Sequence, residues 1–171
     1  MKFIKILLVL LVSAYFIYYI NTYTEWHFLD SVNLIFHEAG HTIFFFLGNF
    51  FRVLAGSWFQ ISLPLFISIY FFWNQQNISG SICLMWVGQN MISVSIYVKD
   101  AILMQLPLLG GDSVIHDWNF ILNELGILHL APSIASIFYY AGIVAIMIGI
   151  LSAVYFAMQN YEKESSMQTY L

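Results

Sequence analysis

Charged side chains are scarce in this chain: aspartate, glutamate, lysine and arginine together make up only 8% of its 171 residues. A soluble globular domain usually carries about 25% charged residues. Hydrophobic residues account for 61% of the sequence, and the mean hydropathy is +0.81. This balance excludes an ordinary soluble domain, and it predicts that lipid is the solvent for most of the chain.

The scarcity of charge and of cysteine excludes two further classes of protein. Five basic and nine acidic residues give a formal net charge of -4, which provides no basic surface for nucleic acid. The single cysteine, Cys83, lies in an apolar segment, so the chain cannot form an internal disulfide. The few charges instead mark the loops and the tail between apolar blocks.

Those blocks are mostly long enough for a helix to cross a hydrocarbon core of about 30 Å. The sequence predicts an all-α polytopic membrane bundle with about five transmembrane helices, in which residues 1–158 form one domain and residues 159–171 a polar tail. The predicted spans are residues 1–20, 31–51, 58–73, 81–108 and 133–158, with a turn at residues 55–57.

The first block follows Lys2 and Lys5, and it could be either a signal peptide or an uncleaved anchor. We favour the anchor, because the apolar run continues past the weak cleavage-like residues 12–14 to Ile20. The two lysines then place the N-terminus in the cytoplasm by the positive-inside rule.

Residues 109–130 form the long stretch that is not expected to span. Within the string DWNFILNELG, four apolar side chains share one face at helical spacing: Trp118, Ile121, Leu122 and Leu125. Gly126 is a plausible terminator of this segment. We expect a short amphipathic helix at the membrane surface.

The second span contains HEAGH at residues 37–41. Residues four apart on a helix share a face, so His37 and His41 can direct imidazole nitrogens at one metal ion. Glu38 can reach a water on that metal without coordinating it. Zinc (Zn²⁺) lowers the pKa of such a water toward about 7, and Glu38 would take its proton as the water attacks a carbonyl.

HExxH also occurs by chance in long helices, where its histidines only form hydrogen bonds. In a lipid-embedded helix, however, two histidines and a glutamate within five residues are costly unless they have a functional partner. The membrane context therefore favours a metal site. Ala39 and Gly40 add modest support, since small residues allow another helix or a substrate to approach closely.

A catalytic zinc site usually has a third protein ligand, and several residues are candidates. His116 is favoured, because it has the preferred ligand type and lies in a loop that could fold back into the site. Asp100 is the main alternative, since it ends a polar stripe on the fourth span. Asp117 is next, although it could instead orient His116 or cap the following helix. Asp112 is the last candidate.

Five spans would place HEAGH near the middle of the membrane or slightly toward its outer side, and the loop that holds His116 on the cytoplasmic side. That loop is then expected to be re-entrant, which is permitted where it lines a cavity. Gln60 and Asn90 are amides within predicted spans. They could bind an extended peptide substrate or could hold the helices together.

The string FHEAGH in an apolar helix resembles the site-2 protease family of intramembrane zinc metalloproteases, more closely its small bacterial branch. The strings LAGSWFQISLP, WVGQNMISVSIYVKDA and GGDSVIHDW are similar to those of small HEAGH-containing membrane proteins grouped with that family. The family's distal Leu-Asp-Gly motif, which supplies its third ligand, is absent. Gly-Gly-Asp at residues 110–112 has a different order.

The resemblance implies that His37 and His41 bind zinc and that Glu38 activates water. It implies hydrolysis of peptide bonds in membrane-protein substrates, in a bacterial cytoplasmic membrane. Two alternatives stay open: a membrane-embedded zinc hydrolase of a lipid or small amide, and a metal-binding membrane protein without catalytic activity.

Overall fold

The computed structural model describes residues 2–107 and 115–169, with side chains described for residues 3–107 and 115–159. All regular secondary structure within these residues is helical, which confirms the predicted fold class. The helices are α1 (Lys2–Asn21), α2 (Phe28–Ile43), α3 (Asn49–Trp73), α4 (Asn77–Lys99), α5 (Asp117–Glu124) and α6 (Ala131–Thr169), with short 3-10 turns at Phe45–Leu47 and Leu128–Leu130.

Four segments of the described chain are long and apolar enough to cross a membrane: Phe3–Asn21, Asn49–Trp73, Asn77–Lys99 and Leu128–Gln159. They agree with four of the five predicted spans, and the bundle is that of a helical membrane protein. The last helix continues beyond its span, so the backbone of the predicted polar tail is helical as far as Thr169.

The prediction of one continuous span over residues 31–51 is wrong. Helix α2 ends at Ile43 and α3 begins at Asn49. Gly48, between them, has a φ of 86°, which favours glycine because it has no Cβ. With 16 residues, α2 is about 24 Å long, which is shorter than the hydrocarbon core of about 30 Å. Residues 55–57, predicted as a turn, lie inside α3.

Helix α4 packs most extensively against α6 and also against α3. It approaches α6 closely at Gly88 and Gly142, where a Cβ added to either glycine would lie 2.7 Å from an isoleucine Cγ1 atom. Small residues of this kind let two backbones come close in a membrane. The core beside this contact also includes α1, and its buried residues are Val9, Phe16, Tyr19, Met85, Ile92, Ile146, Ala153 and Ala157.

Helix α5 confirms the predicted amphipathic segment, with Trp118, Ile121 and Leu122 buried and Leu125 exposed. Gly126 follows its end with a φ of 67°. Its apolar face is covered by protein, because α5 packs against α3. The indole Nε1 of Trp118 donates a hydrogen bond of 3.0 Å to Ser57 Oγ on α3.

Candidate metal centre

His37 and His41 lie one turn apart on α2 and face the first residue of α5, Asp117. The Oδ2 atom of Asp117 lies 2.8 Å from Nε2 of His37 and 3.2 Å from Nε2 of His41. The ligand atoms of the three residues all lie within 4.8 Å of one another. In a tetrahedral zinc site with bonds of about 2.0–2.2 Å, donor atoms are about 3.3–3.6 Å apart. Small side-chain shifts would therefore accommodate an ion.

The second nitrogen of each imidazole has its own hydrogen-bond acceptor. Nδ1 of His37 donates to Oε1 of Gln60 at 3.2 Å, and Nδ1 of His41 donates to the backbone carbonyl of Arg52 at 2.8 Å. A neutral imidazole has only one N–H, so both Nε2 atoms present lone pairs. An oxygen acceptor on the far nitrogen is also the usual partner of a metal-binding histidine.

Those two lone pairs point at the carboxylate of Asp117. Nitrogen lone pairs and a carboxylate oxygen repel one another at such distances, and only a cation can relieve the repulsion, either as protons on the rings or as a metal ion. Burial alone raises the pKa of the Asp117 carboxyl, but the imidazoles of His37 and His41, when protonated, donate hydrogen bonds to it and hold the pKa below its usual value. The donor set therefore fits a divalent cation with two nitrogen ligands and one anionic oxygen ligand.

Gly56 on α3 provides the space in which the two imidazoles lie. A Cβ at this position would be 2.6 Å from Nε2 of His41 and 2.7 Å from Nε2 of His37. On α2, Gly40 is in turn packed against the backbone carbonyl of Ala55. Close packing of α2 on α3 is therefore a condition for the site.

Gly56→Ala is expected to weaken zinc binding by about 10- to 100-fold, the usual cost of disturbing groups that orient metal ligands. The added methyl group would displace the ligand nitrogens of His37 and His41. It should not weaken α3 itself, since alanine is the better helix former by about 1 kcal/mol. The measurement is the zinc affinity of the purified variant.

Gly88→Ala is the matched control, because its Cβ would be 2.7 Å from Ile146 Cγ1 at the contact between α4 and α6. This variant should unfold at a lower temperature but keep its zinc affinity while folded. Full zinc affinity in Gly56→Ala would contradict the proposed role of the glycine.

His116, which was favoured as the third ligand, lies beside the site but forms a hydrogen-bonded pair with Asp100. Its Nδ1 atom accepts the backbone N–H of Asn119 at 3.2 Å, and its Nε2 atom donates to Oδ2 of Asp100 at 3.3 Å. The geometry thus favours the alternative, Asp117, over both His116 and Asp100. The reason is local: His116 caps α5, so the next side chain is the one directed at the histidines. Asp112 lies outside the described residues.

The Asp100 carboxylate also holds the chain that follows α4. It accepts the backbone N–H of Gln105 and of Leu106, each at 2.9 Å. Together with the bond from His116, these contacts join the end of α4 to the start of α5. They are therefore positioning contacts for the segment that carries Asp117.

The candidate ligands lie close to the end of α4 but, through the bond from His37 to Gln60, level with the middle of α3, and their depth in the membrane stays a prediction. The ring of Tyr97 is 5.8 Å from that of His37, centroid to centroid, and α4 ends two residues later at Lys99. At 1.5 Å per residue, this is about 3 Å from the end of the helix. Most of the loop expected to be re-entrant, residues 108–114, lies outside the described residues.

A cavity of about 560 Å³ opens beside the cluster. Its wall includes His37, Glu38, Gln60 and Tyr97, and the Glu38 side chain is exposed. Within the described part of the chain, the Glu38 carboxylate has no hydrogen-bond or ion-pair partner. The remaining wall is mainly apolar and includes Trp26, Leu34, Val94, Ile96, Leu106 and Pro107, with no lysine or arginine among the described lining residues.

The two amides predicted to bind substrate have different positions. Gln60 lines the cavity, and its oxygen accepts a hydrogen bond from His37, so it orients that imidazole. Asn90 is fully buried, and its Nδ2 atom donates to the backbone carbonyl of Trp86 at 2.9 Å. It does not line the cavity, and because this bond lies within α4, its role in holding the helices together stays a prediction.

Two residues of the site were missed in the sequence. Gly56 was assigned to a turn, although its Cα faces both imidazoles. Tyr97 belongs to the same polar stripe as Asp100, and that stripe was the available signal. Its hydroxyl accepts the backbone N–H of Asp117 at 3.1 Å.

No family model, curated protein or solved structure matches this chain. The resemblance to site-2 proteases accordingly stays a prediction based on HEAGH in an apolar helix. The chain's function is therefore inferred from the arrangement of His37, Glu38, His41 and Asp117.

Proposed function

We propose that this protein is a zinc-dependent intramembrane peptidase that hydrolyses peptide bonds of membrane-protein substrates. One observation carries the proposal: the ligand atoms of His37, His41 and Asp117 converge beside a cavity that also contains Glu38. Two nitrogen ligands and one oxygen ligand leave a fourth position of a tetrahedral ion open, as catalytic zinc sites do.

A zinc ion at this position would acidify a water molecule and polarise the scissile carbonyl. Glu38 accepts a proton from the water as its oxygen attacks the carbonyl carbon, and returns the proton to the amide nitrogen when the C–N bond breaks. Gln60 and the backbone carbonyl of Arg52 hold the two imidazoles in the tautomer that leaves Nε2 unprotonated.

The cavity wall favours a peptide over an anionic lipid. It is mainly apolar with a few polar groups, which suits a neutral polypeptide segment. Glu25, Asp30 and Glu38 line it, and no lysine or arginine does among the described residues. A phosphate-bearing headgroup would meet these carboxylates with no lysine or arginine side chain on the described wall to offset the repulsion.

The unpaired carboxylate of Glu38 favours an enzyme over a structural metal-binding protein. A closed structural site has no need of a free base beside its ligands, whereas hydrolysis requires one. Lys2 and Lys5 favour a cytoplasmic N-terminus, and the resemblance favours a bacterial cytoplasmic membrane.

The proposal is tested with purified protein in liposomes, incubated with fluorescein-labelled casein and with a panel of single-span membrane proteins. Cleavage is expected in the zinc-loaded protein. It should stop after treatment with 1,10-phenanthroline and return when about one equivalent of zinc is added, because the metal is required for water activation. Mass spectrometry of the products locates the cleaved bonds.

Phospholipid vesicles without polypeptide serve as the comparison substrate. Release of fatty acid from them, with all polypeptides left intact, would replace the peptidase by the lipid hydrolase. Stoichiometric zinc binding with no hydrolysis of either substrate class would favour the non-catalytic metal-binding protein.

A further inference from the structure

Tyr97 on α4 contacts two of the candidate ligands and lines the cavity. Its hydroxyl oxygen accepts the backbone N–H of Asp117, and its ring packs against those of His37 and His116 at centroid distances of 5.8 and 4.4 Å. It lines the cavity together with Glu38. The hydroxyl is therefore held by the same residue that offers the third ligand.

The hydrogen of this hydroxyl has no acceptor among the described residues. A tyrosine hydroxyl can both donate and accept, and the bond with Asp117 uses only its oxygen. That bond fixes where the oxygen lies and leaves the O–H free to rotate toward the cavity. Tyr97 thus offers a positioned donor that has no other described partner.

Hydrolysis of an amide places negative charge on the carbonyl oxygen, and a donor must stabilise that charge. No lysine or arginine is available on the described cavity wall. Gln60 also lies on the wall, and its oxygen holds His37, so its amide NH2 is a second uncharged donor there. It lacks the backbone contact that fixes the Tyr97 hydroxyl beside Asp117. An uncharged donor is effective in such an apolar cavity, because little water competes with it.

We infer that Tyr97 is a catalytic residue that donates a hydrogen bond to the substrate carbonyl oxygen as this oxygen becomes negatively charged. This inference rests on the proposed peptidase function. The proton stays on Tyr97 throughout. The water oxygen bonds to the carbonyl carbon, the C=O π pair moves to oxygen, and Glu38 holds the water's proton. When this electron pair on oxygen re-forms the C=O bond, the C–N bond breaks. The leaving nitrogen then takes the proton from Glu38.

The rival role is purely structural, since Tyr97 also holds the N–H of Asp117. The two roles predict different effects of removing the hydroxyl group. A positioning residue would affect zinc affinity, whereas a donor to the oxyanion would affect kcat and the binding of a tetrahedral anionic mimic at constant zinc content.

The test is Tyr97→Phe in the zinc-loaded full chain, with fluorescein-labelled casein as substrate and a phosphonamidate peptide as the tetrahedral mimic. We expect unchanged zinc content, a KM within about twofold of wild type, and a kcat lower by about 10²- to 10³-fold. Affinity for the phosphonamidate should fall by a similar factor. Tyr140→Phe, which removes an exposed hydroxyl on α6, should change none of these values.

Wild-type kcat in Tyr97→Phe would overturn the inference, and so would a loss of zinc that parallels the loss of activity. Failure of the proposed peptidase function gives a different result: wild-type protein with bound zinc would then not cleave casein. In that case the phosphonamidate still decides: equal affinity for wild type and Tyr97→Phe overturns the assignment of the donor.

Discussion

Replacing Asp117 with alanine is expected to remove zinc from the purified protein, whereas His116→Ala should retain most of it. Oδ2 of Asp117 lies within 3.2 Å of both ligand nitrogens, while the imidazole of His116 is bonded to Asp100. Loss of an outer-shell partner typically costs about 10- to 100-fold in metal affinity. Loss of a direct ligand should cost more than about 100-fold.

His116→Ala removes a helix cap and the contact with Asp100, so its effect should stay within the outer-shell range. Asp117→Asn is a matched variant that keeps the side-chain shape and the backbone bond to Tyr97 but removes the charge. It should also lose zinc, which separates ligation from folding.

The measurement is zinc affinity by competition with a chromophoric chelator, combined with thermal unfolding in the presence and absence of zinc. Zinc should raise the melting temperature of wild type and of His116→Ala, because a ligand stabilises the state that binds it. It should leave that of Asp117→Ala unchanged. The opposite pattern, with zinc retained in Asp117→Ala and lost in His116→Ala, would restore His116 as the ligand.

The histidine pair could be predicted because its geometry depends only on the helix. His37 and His41 face one point in any α-helix, whatever surrounds them. The candidate third ligand, Asp117, is 80 positions from His37 along the chain, so its place depends on how α5 returns to the bundle. His116 was favoured as the third ligand because histidine is the preferred type of zinc ligand. Neighbouring side chains at a helix start point in different directions, however, and the capping role of His116 directs Asp117 at the histidines.

The break between α2 and α3 was missed for a related reason. Residues 44–51 are mainly apolar, and hydropathy averaged over a span does not register one glycine at a positive φ. Gly48 nevertheless turns the chain. A hydrophobic pattern thus does not show the backbone conformation of a single residue, on which this turn depends.

This turn is what builds the site. Because the chain reverses near Gly48, α3 runs antiparallel to α2. Residues of α2 therefore contact residues of α3 at increasing distances from the turn. His41 meets the Arg52 carbonyl, Gly40 meets Ala55, and His37 meets Gln60. A single helix over residues 31–51 would have carried Arg52 away from His41 and left both imidazoles without their orienting partners.

Glu38→Gln is expected to abolish most hydrolysis while zinc binding persists. Gln has nearly the same shape but cannot accept a proton from the attacking water. General base catalysis typically contributes about 10²- to 10⁴-fold, so kcat should fall by that factor. Zinc content should be unchanged, because the ligand atoms of His37, His41 and Asp117 form the site without Glu38.

The measurement is kcat on fluorescein-labelled casein, with zinc determined on the same samples. Glu124→Gln is the matched control, because it removes an exposed carboxylate at the end of α5 and should leave both kcat and zinc content at wild-type values. Full activity in Glu38→Gln with bound zinc would exclude Glu38 as the base. Activity that is already absent in zinc-loaded wild type would instead leave a metal-binding protein whose free carboxylate has another purpose. Only a low kcat at full zinc occupancy fits a base that acts on water beside the two imidazoles.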